Sequence, residues 1–170
     1  MKKKILVEGP ILSQSGYGEH ARFVLRSLRS QEGVFDIYAI PLNWGQTSWL
    51  FEENEERKWL DSIINKTVQY INQQGQFDIY VHVGIPNELK RKAPITIEVT
   101  AGIETTKASP EWIDILNREC DKIITVSQHS KDVLEQTSWK AQDQFGRILD
   151  LKLNKRSEEH TSELQSLRHL

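Results

Sequence analysis

Lys4-Ile5-Leu6-Val7-Glu8-Gly9-Pro10, followed within a few residues by Ser13-Gln14-Ser15-Gly16-Tyr17-Gly18-Glu19-His20-Ala21, decides the fold. The first stretch is a short apolar run stopped by Gly-Pro, the pattern of a strand buried on both faces and ended by a turn. The second is a polar, glycine-bearing loop that runs into Ala21, Val24, Leu25 and Leu28, spaced i, i+3, i+4 and i+7 as on one face of a helix. A buried strand, a glycine loop and an amphipathic helix in that order make the first half of a βαβ unit.

The same alternation continues outward. Gly33 marks the end of the first helix, and Phe35 to Pro41 reads as a second strand. Leu60, Ile63, Ile64, Thr67, Val68 and Ile71 form a second helical stripe closed by Gly75. Phe77 to Gly84, Ile95 to Val99 and Lys122 to Val126 read as three further strands rich in β-branched residues. Between the last two, Ser109-Pro110-Glu111 supplies an N-cap, a first-turn proline and an acidic first turn for a helix facing inward through Trp112, Ile115 and Leu116. Another helix is expected from Ser130, with Val133 and Leu134 inward. Gly146 and the alternation from Ile148 to Leu153 suggest a turn and a strand. Strands separated by helices imply right-handed crossovers and an α/β fold, a Rossmann-like, mainly parallel sheet with helices on both faces. The short connection from Ile85 to Pro94 is the exception.

Composition excludes several classes. The 170 residues are 38% hydrophobic and 27% charged, enough for one compact domain. A net charge of −2, from 22 basic and 24 acidic residues, gives no broad positive field for a nucleic-acid backbone. Lys2-Lys3-Lys4 and Lys90-Arg91-Lys92 are the only basic clusters, and both are short. The single cysteine, Cys120, excludes an internal disulfide and a cysteine-only zinc site, and reads as a buried small hydrophobe. No apolar run follows the N-terminal lysines as in a signal peptide, and no segment approaches the ~18 apolar residues of a membrane span. A reducing, cytoplasmic setting is expected.

In an open parallel sheet, ligands bind at the carboxyl ends of the strands. The loop around Gly16, Tyr17 and Gly18 leaves the first strand at a helix N-terminus, where amides receive a phosphate or a sugar hydroxyl, or where the glycines merely make a turn. Gly16-Tyr17-Gly18-Glu19-His20-Ala21 also fits G-x-G-x-x-G/A, which keeps an NAD(P)-dependent oxidoreductase in view. Against it, the glycines begin several residues after the strand. The second strand also finishes in Ile40-Pro41-Leu42-Asn43, with no acidic residue for a ribose.

The loop Gly102-Ile103-Glu104-Thr105-Thr106-Lys107 leaves the fourth strand and Ser127-Gln128-His129-Ser130 the fifth. Glu104 is either a solvated loop carboxylate or a cleft ligand, and His129 either a helix-start residue beside a capping Ser130 or a ligand. His82, within a strand, reads as a core histidine. Trp44, Trp49 and Phe51 after the second strand either form a sugar-stacking surface or cover an apolar edge. There is no Cys/His cluster with metal spacing, no H-E-x-x-H, no P-loop, no G-x-S-x-G elbow and no Asp-x-Asp, so no metal site is expected and no catalytic residue is assigned.

Residues Arg156 to Ser166 match the in-frame translation of a common sequencing-adapter oligonucleotide, and Leu167 to Leu170 look like more of it. Residues 156–170 are therefore expected to be an artefactual tail outside the fold, 139–155 a strand or hairpin beginning a truncated continuation, and 1–138 the folded domain.

Taken together, Ser15-Gly16-Tyr17-Gly18 with Ala21-Arg22-Phe23-Val24-Leu25, Thr100-Ala101-Gly102-Ile103-Glu104-Thr105-Thr106, and Cys120-Asp121-Lys122-Ile123-Ile124-Thr125-Val126-Ser127-Gln128-His129-Ser130-Lys131 resemble the N-terminal domain of group 1 glycosyltransferases. The resemblance implies the N-terminal half of a GT-B fold and transfer of a sugar from a nucleotide-sugar co-substrate to a glycan or other acceptor, with no further cofactor. By the same resemblance Gly16, Tyr17 and Gly18 lie nearest the donor phosphates, while Glu104, Thr105, Thr106, Ser127 and His129 line the acceptor side. The family's donor-binding second domain has no counterpart in this chain, which is then expected to be inactive alone. A non-catalytic Rossmann-like nucleotide-binding module is the remaining reading.

Overall fold

The computed structural model describes residues 2–43, 45–101, 103–142 and 145–154, and the backbone of 157–159. Trp44, Gly102 and residues 160–170 of the expected tail lie outside the described residues. The chain is α/β, with parallel strands flanked by helices in a Rossmann-like arrangement. It divides into two compact units, Met1–Gly84 with Arg91–Thr96, and Ile85–Lys90 with Ile97–Leu170.

In the first unit β1 (Lys3–Gly9) pairs in parallel with β2 (Phe35–Pro41) on one side and β3 (Ile79–Val83) on the other. Ile5, Leu6 and Val7 are each at most 1% exposed, because a central parallel strand is covered on both faces. Helix α1 (Gly16–Arg29) starts where the Ser15 hydroxyl accepts from the Gly18 N–H. It buries Ala21, Leu25 and Leu28 and ends at Arg29, before Gly33, because the Ser30 N–H closes on the Arg26 carbonyl and residues 31–34 turn back into β2.

Helix α2 (Glu55–Asn72) is capped by Asn54, whose side chain accepts from the Arg57 N–H. Its expected stripe is narrower than the sequence suggested. Leu60, Ile63 and Thr67 are buried, whereas Val68 and Ile71 are 55% and 44% exposed. The contact centres on Thr67, whose hydroxyl accepts the Ala39 N–H at 2.8 Å and satisfies an outward donor of β2. Tyr38, Tyr70 and Phe77 pack at 4.8–5.4 Å between centroids.

The second unit holds most of β4 (Ile95–Thr100), paired in parallel with β5 (Lys122–Thr125). A 3₁₀ turn at Pro86–Glu88 occupies the short connection before β4. Helix α3 (Pro110–Glu119) follows Ser109 and buries Ile113, Ile115 and Leu116, while Trp112 is only half-buried. Cys120 at its end is buried, and burial pushes its thiol up to about 12.

Helix α4 (Gln128–Gln136) begins two residues before the expected Ser130. Ser127 is the N-cap, its hydroxyl accepting the Ser130 N–H at 3.1 Å, and Ser130 is buried inside the first turn. β6 (Ser138–Gln142) and β7 (Ile148–Lys152) form an antiparallel hairpin through a turn with Gly146 at φ 80°. Trp139 donates from Nε1 to the Ala108 carbonyl, and Asn117 donates to the Lys152 carbonyl, tying the hairpin to its unit. β8 (Ser157–Glu159) lies parallel to β5. The segment expected to stay outside the fold therefore contributes three paired residues, since β5 otherwise presents a free edge to any extended backbone.

Candidate functional site

The glycine loop is held from two directions. Arg22 projects from the buried side of α1 and donates from one terminal nitrogen to the carbonyls of Ile11 at 2.8 Å and Ser13 at 2.9 Å. Its remaining donors meet Glu19 at 2.9 and 3.2 Å. From the other side the chain leaving β2 folds back: Gln14 N–H donates to Ser48 O, Leu50 N–H donates to Leu12 O, and Ser13 pairs with Trp49 in an isolated antiparallel bridge. The Ser13 hydroxyl sits 2.6 Å from that of Thr47 and donates to Ser15.

The two glycines of the loop differ. A Cβ on Gly18 would meet the Ser13 carbonyl oxygen at 2.1 Å, so this position is glycine because the helix must touch the loop. A Cβ on Gly16 would meet nothing within 4 Å, and Gly16 faces an open cleft. Tyr17, between them, is half-buried in the first turn of α1.

That cleft, about 590 Å³, is lined by Gln14, Ser15, Gly16, Glu19, Arg22, Arg26, Leu50, Glu52 and Glu56. Arg26 binds Glu56 through two nitrogens at 2.5 and 2.9 Å and reaches Glu19 at 2.6 Å. Hydrogen bonding to Arg26 holds both carboxyls below the ordinary glutamate value, and the two carboxylates push the Arg26 guanidinium up in return. Arg22, Glu52 and Glu56 are contributions that motif reading missed. Arg22 had a signal, a charge in line with Gly18 and Leu25 on the buried face of the helix. Glu52 and Glu56 had none, since only the return of the loop after β2 brings them to the glycines.

In the second unit, the loops after β4 and β5 leave the same, carboxyl end of two paired strands. Glu104, Thr105 and Thr106 are exposed there, and the Thr105 hydroxyl donates to the Lys107 carbonyl. Lys107 lies 3.6 Å from the Trp139 ring centroid. Ser127 is committed to capping α4, and the exposed His129 occupies that helix's first turn; Ser130 is not the cap. His82 is buried in β3, as expected for a core position. Trp49 and Phe51, in the chain that follows β2, are 45% and 81% exposed.

Among the described residues no cluster of His, Cys, Asp and Glu has the makings of a metal site, and no helix is long and apolar enough to cross a membrane. No protein-family model matches the chain, and no curated protein matches it significantly.

Proposed function

We propose that the chain is the N-terminal half of a cytoplasmic GT-B glycosyltransferase, in which the loop at Gly16 to Gly18 approaches the diphosphate of a nucleotide-sugar donor. The observation that carries this reading is the empty space over Gly16. Packing explains Gly18 but leaves Gly16 without a structural reason, at the N-terminus of a helix and at the carboxyl end of a parallel strand. Backbone amides there stabilise a developing negative charge on the leaving diphosphate without a metal. Glu104, Thr105, Thr106, Ser127 and His129 are proposed for the acceptor side, with Ser127 acting through the helix cap it forms. Base and ribose contacts belong to a second domain, so the chain alone binds donor weakly and does not turn it over.

The oxidoreductase reading is less well supported, because β2 ends at Pro41 and continues into Leu42 and Asn43, with no carboxylate for a ribose. Titration of the chain with several nucleotide sugars and with NADH, followed by ligand-observed NMR, separates the two. Weak nucleotide-sugar signals with none for NADH support the transferase; tight NADH binding overturns it.

A further inference from the structure

We propose that Arg26 is the cation that receives the donor's diphosphate, and that Glu56 holds it back by occupying the same face of the guanidinium until a phosphate displaces it. This rests on the transferase reading and assigns the charged partner of the phosphates that the loop at Gly16 meets. Gly16 faces the same cleft as Arg22 and Arg26, the two cations of its lining. Only one of the two is placed to turn. Arg22 is 7% exposed at the side chain and spends its donors on the carbonyls of Ile11 and Ser13 and on Glu19. Arg26 is 44% exposed and donates to carboxylates, Glu19 at 2.6 Å and Glu56 at 2.5 and 2.9 Å.

The reach is short. A helical side chain leans toward the helix N-terminus, so the Arg26 guanidinium lies back along α1 at Glu19, which is three residues, about 4.5 Å of helix, from Gly16. A diphosphate is long enough to touch the amides at Gly16 with one phosphate and the guanidinium with the other. Glu56 is bound through a fork, Nε and one terminal nitrogen of Arg26 donating to its two oxygens. A phosphate takes the same fork in the same geometry and carries more charge. Glu56 gives way at small cost, because partly exposed ion pairs are weak and because the first turn of α2 favours a carboxylate with or without the arginine. With Glu19, Glu52 and Glu56 against two arginines, the lining keeps one negative charge in excess, which accounts for weak donor binding by the unmodified chain.

The test uses the full chain, with phosphorus NMR of inorganic pyrophosphate and ligand-observed NMR of UDP-glucose and GDP-mannose at fixed ionic strength. Glu56→Gln frees Arg26 and should tighten pyrophosphate and at least one nucleotide sugar roughly fivefold. Glu52, which accepts from Asn54, is the control: Glu52→Gln removes the same charge from the lining without freeing Arg26 and should give less than half that gain. Arg26→Gln should weaken both kinds of ligand roughly tenfold, and adding Glu56→Gln to it should recover no more than the Glu52→Gln gain. A role confined to tying α1 to α2 would not let the loss of Glu56 improve binding. Thermal melting identifies a variant that has unfolded; Glu56→Asp, which keeps the charge on a shorter arm, then replaces Glu56→Gln and should shift affinity the same way. Nucleotide sugars that bind the unmodified chain, Glu56→Gln and Arg26→Gln alike would overturn the proposal and leave the transferase reading standing, as would equal gains from Glu52→Gln and Glu56→Gln. Pyrophosphate responding to Arg26 and Glu56 as stated, with no nucleotide sugar bound by any variant, would uphold the pair as a phosphate site and remove the transferase reading. Silence of every phosphate ligand in every variant would overturn both.

Discussion

Gly18 lies so close to Ser13 that a Cβ added to it would fall 2.1 Å from the Ser13 carbonyl oxygen. That oxygen is also held at 2.9 Å by Arg22, so it cannot retreat without breaking a buried hydrogen bond. Gly18→Ala should therefore cost about 3 kcal/mol, at the upper end of overpacking effects. Gly16→Ala, with open space around it, should be neutral or slightly stabilising, since alanine restricts the unfolded chain. Urea denaturation of the two variants checks the contrast; equal losses would show that the loop is not built as described.

Arg22 is the second support of that loop. Arg22→Met keeps the aliphatic stem but leaves the carbonyls of Ile11 and Ser13 without this donor, at a cost of about 3 kcal/mol for two buried acceptors. Hydrogen exchange should show the amides of residues 11–14 opening before the helix does. Protection unchanged along that segment would contradict the clamp.

A third prediction concerns Glu8, buried near the end of β1. It accepts the Tyr80 hydroxyl at 2.5 Å and the Lys92 ammonium at 2.5 Å. Removing Lys92 leaves a buried carboxylate with one partner; because the lysine side chain is 39% exposed, the cost of Lys92→Ala should be nearer 2 than 5 kcal/mol, roughly. Tyr80→Phe should cost about 2 kcal/mol. A double-mutant cycle should show the two losses to be non-additive, since both act through Glu8.

The cleft network sets a pH dependence. Glu19 and Glu56 titrate below their ordinary value of 4.5 in the folded chain, mainly through hydrogen bonds to Arg26. Their folded form binds protons less readily than the unfolded form, so the stabilisation is complete above pH 4.5 and is lost as pH falls through the lowered folded values. Glu19 is 56% exposed at the side chain and contributes under about 1 kcal/mol after screening, so Glu56, at 27%, should dominate. Stability curves measured between neutral and acid pH should be flatter for Glu56→Gln than for the unmodified chain. An unchanged slope would remove the network as the cause.

The order of strands and helices was legible because parallel strands declare themselves locally: Ile5-Leu6-Val7 is buried on both faces and apolar throughout. The helix beginning at Ser109-Pro110 was equally plain. The depth of burial along each helix was not, because it depends on what the helix meets. Ile113 faces inward where Trp112 had been expected, and α2 turns on Thr67 bonding to an edge strand. The cap of α4 was misplaced by three residues because Ser127 and Ser130 are equally good capping residues in isolation, and only the burial of Ser130 separates them. Of the site, the glycine loop could be read from its place in the chain. The carboxylates opposite it could not, because Glu52 and Glu56 reach the glycines through a tertiary return of the chain.

The central claim is that the space over Gly16 belongs to a nucleotide-sugar phosphate. The most direct measurement is a ligand-observed NMR titration of the unmodified chain and of Gly16→Ala with a set of nucleotide sugars, with NADH in parallel and melting temperatures recorded for both proteins. The account predicts weak nucleotide-sugar binding that is lost in Gly16→Ala at unchanged melting temperature, and no binding of NADH. Tight binding of NADH, or nucleotide-sugar binding indifferent to the added methyl group, would contradict it.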